Sequence, residues 1–276
     1  MIKKLLKINL KGTNNKKHIL ILIIISIMIT NIQLSILNIT GLHSVSMGDI
    51  LILAFGGLNT SFNITKDLSL FVTWMVPNIM IVYLINTGII HKFRERTILI
   101  LPRVKLKLNW SISYNITIWI IVVRYYLVLF SASFITIFIR MGYKSFLNTN
   151  ILINNYNQLT ADKNQYLIVL YIILLNTGTM ICLISFINNI YYIFFNSNHA
   201  AVICMMICFI TVITTKFNNI NKFILMNQQM LIRHDFFKGG FKDFNLSFSI
   251  LYLCIFLIIN FIFNILIVKK RDIDNI

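Results

Sequence analysis

Long uninterrupted apolar runs, separated by short charged or asparagine-rich stretches, set the pattern of this chain. The runs cover about residues 19–39, 68–90, 118–139, 166–187, 199–215 and 246–268. A helix needs roughly 20 apolar residues to cross a bilayer. A spanning β-barrel would alternate apolar and polar positions, and these runs do not alternate. The pattern predicts an all-α membrane protein with about six transmembrane helices. The run at 199–215 is the shortest, and the one most open to being tilted, broken or misassigned. The stretch from Leu108 to Ile139 exceeds one crossing but falls short of two. It is read as an interfacial piece to about Thr117, then a span. Trp110, Tyr114 and Trp119 suit an aromatic belt there.

The first run is too long for the core of a signal peptide and lacks a cleavage pattern, so it is expected to remain. Before it, Lys3, Lys4, Lys7 and Lys11 fall on one helical arc, with Ile2, Leu5, Leu6, Ile8 and Leu10 on the other. This predicts either an amphipathic interfacial helix on an anionic leaflet or a solvated basic run. Both place the N-terminus in the cytoplasm. Residues 1–18 thus form a cytoplasmic basic amphipathic segment, 19–268 the transmembrane domain and 269–276 a cytoplasmic tail. Between the first two spans, Ile50 to Phe55 is apolar but too short to cross, and is read as dipping toward the outer interface. Pro77 lies within the second span, where its missing donor favours a kink.

Composition agrees. The chain is 58% hydrophobic and 12% charged, with a mean hydropathy of +0.80. Soluble proteins carry roughly 25% charged residues, so a soluble enzyme and a secreted disulfide scaffold are both excluded. A net charge of +17 would suggest nucleic acid in a soluble chain. In a membrane protein, Lys and Arg mark the cytoplasmic side instead, so no nucleic-acid partner is expected. With both ends inside, 15 Lys and Arg fall on cytoplasmic segments and 9 on outer ones. The loop Lys216 to Asn245, with five bases outside, is the weak point of that assignment. Ile and Asn, 56 and 30 residues, both have A/T-rich codons, so an Asn within a span is discounted as partly genomic bias.

Few residues point to chemistry. There is no phosphate-binding G-x-x-x-x-G-K-[ST], no H-E-x-x-H and no G-x-S-x-G. All eight acids lie in loops or tails, which argues against cation coupling through buried carboxylates. Cys204 and Cys208 share a helix face near His199. Soft packing is the better reading than metal binding, so neither a metal nor a cofactor is expected, and no enzyme activity. Arg124 is the one charge inside a span. It either snorkels to lipid phosphates or lines a substrate path. The basic loop Lys92–Trp110, with Arg94, Glu95, Arg96 and Arg103, is either a topology anchor or a docking element for a cytoplasmic partner.

The run Asp49-Ile-Leu-Ile-Leu-Ala-Phe-Gly-Gly57, then Trp74, Pro77, Arg94, Arg96, Leu101-Pro102-Arg103 and Trp110, resembles the small bacteriocin-associated permeases of Gram-positive bacteria. These are a branch of the ABC-2 class of ABC-transporter permeases. The layout matches along nearly the whole chain, and specific residues match between Asp49 and about Tyr126. The resemblance implies a multi-pass cell-membrane permease subunit that pairs with a second copy or a different half. A separate cytoplasmic ABC ATPase subunit would dock on the loop containing Arg94, Glu95, Arg96 and Arg103. The complex would move an amphipathic or lipid-like substrate outward, an antimicrobial peptide being the family's example. The alternative is a stand-alone immunity or accessory protein that binds a bacteriocin or sensor partner.

Overall fold

The computed structural model describes residues 2–11, 13, 15–39, 46–60, 62, 67–87, 107–143, 146, 165–194, 198–213, 221–237 and 239–270. Eight helices are described: α1 (Ile2–Lys11), α2 (Lys16–Ile39), α3 (Met47–Phe55), α4 (Leu68–Ile85), α5 (Lys107–Met141), α6 (Gln165–Phe194), α7 (Asn198–Ile213) and α8 (Leu246–Lys270). Five of them, α2, α4, α5, α6 and α8, are long and apolar enough to cross a membrane. With this composition, the chain has the form of a multi-pass membrane protein. At 16 residues, or about 24 Å, α7 is the short member.

Two expected boundaries move. No break occurs near Thr117, because α5 is a single 35-residue helix, about 52 Å long. Its first turns are held by packing: Trp110, Ser111, Ser113, Tyr114 and Asn115 are buried against neighbouring helices. Likewise the segment from Asn188, expected as a connection, continues α6 as far as Phe194. Helix α4 is unbroken through Pro77, and the Asn78 amide donates to the Trp74 carbonyl at 2.8 Å.

Side-chain pairs fix the helix directions. His18 meets Tyr125, and Ser26 and Thr30 meet Ser133, so α2 and α5 run parallel. Tyr114 reaches Asn188 while Trp119 reaches Ser185, so α5 and α6 are antiparallel. Cys182 meets Leu253 and Asn189 meets Asn260, so α6 and α8 are parallel. A chain with two parallel helices must return between them, and α7 lies on that return. The Phe71 and Phe209 rings, tilted against each other with centroids 6.0 Å apart, bring the last turns of α7 to the first turn of α4.

Helix α1 packs on α5 through Leu5 and Asn9, leaving Lys3, Lys4, Lys7 and Lys11 exposed. Ile8, on the boundary between the two arcs, is exposed as well. The short α3 is buried on almost every face, with Ile50, Leu51 and Ile52 inaccessible, and it packs on α2, α4 and α6. By contrast α8 exposes Leu251, Ile258, Ile259 and Ile262 along its length.

Candidate functional site

Two buried polar assemblies occupy opposite ends of the bundle. The first is a cap made by the end of α3 and the segment before α8. Ser46 begins α3: its hydroxyl accepts from the Asp49 amide at 3.2 Å and donates to the Asp49 carboxylate at 2.8 Å. The backbone N–H of Ser46 closes the box on the same carboxylate at 2.9 Å. An acid in the first turn also suits the helix dipole. Asp49 is only 2% exposed, and is the one buried carboxylate among the described residues. Its loop position in the sequence gave no sign of this.

After Phe55 the chain turns through Gly56 and Gly57. Gly57 has φ +97, and a Cβ there would lie 2.5 Å from Met230 Cγ and 2.8 Å from Met230 Cα. Only a glycine permits this approach. Residues 221–237 and 239–245 clasp the turn from above. The Ile232 N–H donates to the Gly56 carbonyl at 3.1 Å, and Arg233 Nε donates to the Leu58 carbonyl at 2.9 Å. The Thr60 hydroxyl donates to the Gly239 carbonyl at 2.6 Å. The segment is irregular, with short turns at Leu225–Asn227 and Leu231–Arg233, yet Met226, Asn227, Gln228, Gln229, Met230 and Leu231 are wholly buried.

Arg233 and His234 lie at its centre, both 0% exposed. Arg233 Nη1 donates to the Asn227 side-chain amide oxygen Oδ1, and its guanidinium sits 5.9 Å from the centre of the Phe241 ring. Burial alone pushes the guanidinium down to about 9. His234 Nδ1 is 3.2 Å from the Met230 carbonyl and Nε2 is 2.9 Å from the Ser249 hydroxyl. A carbonyl can only accept, so Nδ1 carries the proton and Nε2 accepts from Ser249. This arrangement satisfies a neutral imidazole, and burial pushes its pKa down to about 4. The ring stacks on Phe244 at 4.4 Å.

The second assembly joins α5, α6 and α8. Asn264 accepts from Ser111 at 2.6 Å and from Asn115 at 2.9 Å, and donates to Asn189 at 2.8 Å. Asn189 in turn donates to both oxygens of Asn260, at 3.0 and 3.1 Å. Away from water, such bonds fix helix register because the alternative is an unsatisfied amide. Between the two assemblies, a crevice lined by Ala54, Phe55, Trp74, Pro77, Asn78, Tyr126 and Asn176 is too narrow to admit a water molecule.

The sequence-predicted residues are not brought together. Arg94, Glu95, Arg96 and Arg103 lie outside the described residues. Pro77 lines the central crevice. Arg124 is half-buried at the midpoint of α5 rather than near its start. Its neighbour Tyr125 bonds His18 at 2.8 Å, in the first turn of α2 beside Lys16 and Lys17. Arg124 therefore lies along the bundle at the level of Lys16 and Lys17. Cys182 and Cys208 are buried and Cys254 is exposed, and no group of three metal-ligating side chains occurs among the described residues. Sequence reasoning missed Arg233, His234 and the amide set. The four-residue spacing of Ser111 with Asn115 and of Asn260 with Asn264 was the available signal for the amides. No family model, curated protein or solved structure matches the chain.

Proposed function

We propose that the chain is the permease subunit of an ABC transporter, moving an amphipathic or lipid-like substrate outward with energy from a separate ATPase. The observation that carries this reading is the alternation of helix directions. Because α6 and α8 run parallel, α7 and the segment after it serve as a return pass. Counted this way the chain makes six passes and both termini lie on one side, the layout of the ABC-2 class that the sequence resembles. The clusters of Lys at Lys3–Lys11 and Lys269–Lys270 support a cytoplasmic location for that side. Helix α3 enters the bundle from the opposite side without crossing it.

The central crevice excludes water. A path for a large amphipathic molecule is accordingly placed between two subunits, beside exposed apolar faces such as that of α8. The loop containing Arg94, Glu95, Arg96 and Arg103 is the proposed ATPase dock. The narrowness of the crevice equally suits the second reading, a stand-alone immunity or accessory protein.

Copurification separates the two. An ATP-binding subunit encoded beside this chain should be retained by the tagged wild type and released by the Arg94→Glu, Arg96→Glu variant, with export lost. Unchanged retention and export in that variant refutes the dock. Single cysteines placed at Lys4 and Lys242 test the topology: an impermeant thiol reagent applied to intact cells should label the second alone. Labelling of both, or of the first alone, refutes the six-pass arrangement.

A further inference from the structure

We propose that α1 and the head of α2 form a docking face for anionic phospholipids. One lipid phosphate is held by Lys16 and Lys17 with its chains laid along α2, and neighbouring headgroups meet the lysines of α1. The face rests on the multi-pass membrane form alone and is independent of the transporter assignment.

The first observation is that the charges of α1 oppose its own helix. Lys3, Lys4, Lys7 and Lys11 are all exposed. Lys3 and Lys7, and again Lys7 and Lys11, stand four residues apart, where like charges repel. Lys3 and Lys4 lie in the first turn, at the positive end of the helix dipole, and no acid accompanies them there. The first acid along the chain is Asp49. The second observation is that docking on α5 offsets little of this. Of the 10 residues only Leu5 and Asn9 are buried, and Asn9 Nδ2 is enclosed without a hydrogen-bond partner. So short a helix is marginal by itself, and it calls for negative charge from outside. Its apolar side already packs on α5, so the lysine side is the one left for a ligand.

The third observation selects the polyanion. Lys16 and Lys17, both exposed, open α2, and the chain holds Lys11 within about 18 Å of Lys16. From Lys16, four-residue steps lead to Leu20, Ile24 and Met28, which are 59%, 48% and 61% exposed. That spacing keeps them on one stripe of the helix. Lys16 to Met28 spans about 18 Å, close to one leaflet's half of a hydrocarbon core of about 30 Å. A cation above an open apolar stripe of this length matches a phosphate above its acyl chains. A nucleic acid or an acidic protein would meet the lysines but not the stripe.

The test uses the full chain in nanodiscs of phosphatidylcholine, alone or mixed with phosphatidylglycerol, and reads hydrogen exchange over α1. Each lysine at an anionic surface contributes about fivefold, so two lysines per headgroup should slow exchange about 25-fold in the mixed discs. High salt should remove the difference. Glycerol phosphate, the headgroup without chains, should not slow exchange in phosphatidylcholine discs. The combined Lys3→Gln, Lys4→Gln, Lys7→Gln and Lys11→Gln variant should exchange at one rate in both discs. Phosphatidylglycerol retained through detergent purification, counted by native mass spectrometry, should fall with Lys16→Gln, Lys17→Gln. Lys242→Gln, an exposed change in the cap, should match the wild type in both measurements. Equal wild-type rates in the two discs, slowing by glycerol phosphate, a four-lysine variant that follows the wild type, or undiminished lipid retention after Lys16→Gln, Lys17→Gln overturns the face.

Discussion

Gly57→Ala tests the contact between α3 and the cap most directly. The change adds one methyl group, and two costs follow. An alanine at φ +97 carries backbone strain of about 1–2 kcal/mol. The methyl also overlaps Met230, at 2.6 Å from its Cβ and 2.8 Å from its Cα. Rotating the methionine side chain moves neither atom. The backbone must shift instead, yet the Met230 N–H donates to Asn227 at 3.0 Å and the Met230 carbonyl accepts from Arg233 at 3.0 Å. Overpacking at such a site costs about 1–3 kcal/mol, so the total is about 2–5 kcal/mol. For a chain of this size that corresponds to a fall in Tm of roughly 4–9 °C, readable by scanning fluorimetry. Gly142→Ala is the internal control. Gly142 also has a left-handed φ, +70, but a Cβ there meets nothing within 4 Å. It should fall by only about 2 °C, from strain of about 1 kcal/mol. Met230→Gly should recover part of the Gly57→Ala loss by removing the Cβ overlap while leaving that at Cα. Equal shifts for Gly57→Ala and Gly142→Ala would refute the claim that the cap presses on the turn.

Three further outcomes are expected. His234 titrates near 4 in the folded chain against about 6.5 unfolded. As pH falls through that window the unfolded chain takes the proton first. Stability is therefore full above about 6.5 and is lost toward 4, by at most about 1.4 kcal/mol per pH unit; the Tm of His234→Gln should not show that component. Asn264→Ala removes three hydrogen bonds and strands Ser111, Asn115 and Asn189. At about 0.6 kcal/mol per bond in a membrane it should cost about 2 kcal/mol, seen as earlier unfolding in a denaturing-detergent titration. Arg124→Gln should change stability by under about 1 kcal/mol and leave expression intact, because the level of Lys16 and Lys17 is one where a charge meets water or phosphate; a large loss by the same titration would place the guanidinium in a buried role.

The helices were legible in the sequence because each apolar run is a local signal, and bilayer thickness sets one length for all of them. The polar interior was less so. Discounting asparagine as codon bias hid Asn115, Asn189, Asn260 and Asn264, which the fold joins into one network across α5, α6 and α8. Each amide looked unremarkable alone, because its partner lies some seventy residues or more away along the chain. The break expected at Thr117 failed for a related reason. Ser111 and Ser113 read as interfacial, but their hydroxyls bond Asn264 and the Trp110 carbonyl within the bundle. Arg233 was counted as one of five bases on an outer loop. Nothing local marks a loop that folds inward, beyond the apolar patches at Phe223–Met226 and Phe236–Phe237.

The short α7 and the buried cap have one physical cause. Helix α6 ends level with the last turns of α8, since Asn189 pairs with Asn260 and Asn264. The chain must then climb to the start of α8, where Ser249 meets His234. A 16-residue helix rises about 24 Å, short of a hydrocarbon core of about 30 Å. In the proposed six-pass layout the segment after it supplies the remainder, and irregular backbone at that depth is tolerated only inside protein. Residues 221–237 and 239–245 accordingly fold onto α3 and α6 instead of spreading over the surface, and their polar groups turn to Gly56, Leu58 and one another. On this account, inserting four alanines after Phe209 should lengthen α7 and push the cap outward. The clasp on Gly56 would break and Arg233 would become exposed. The inward folding of this segment is what leaves Arg233 desolvated, with its Nη2 unpartnered.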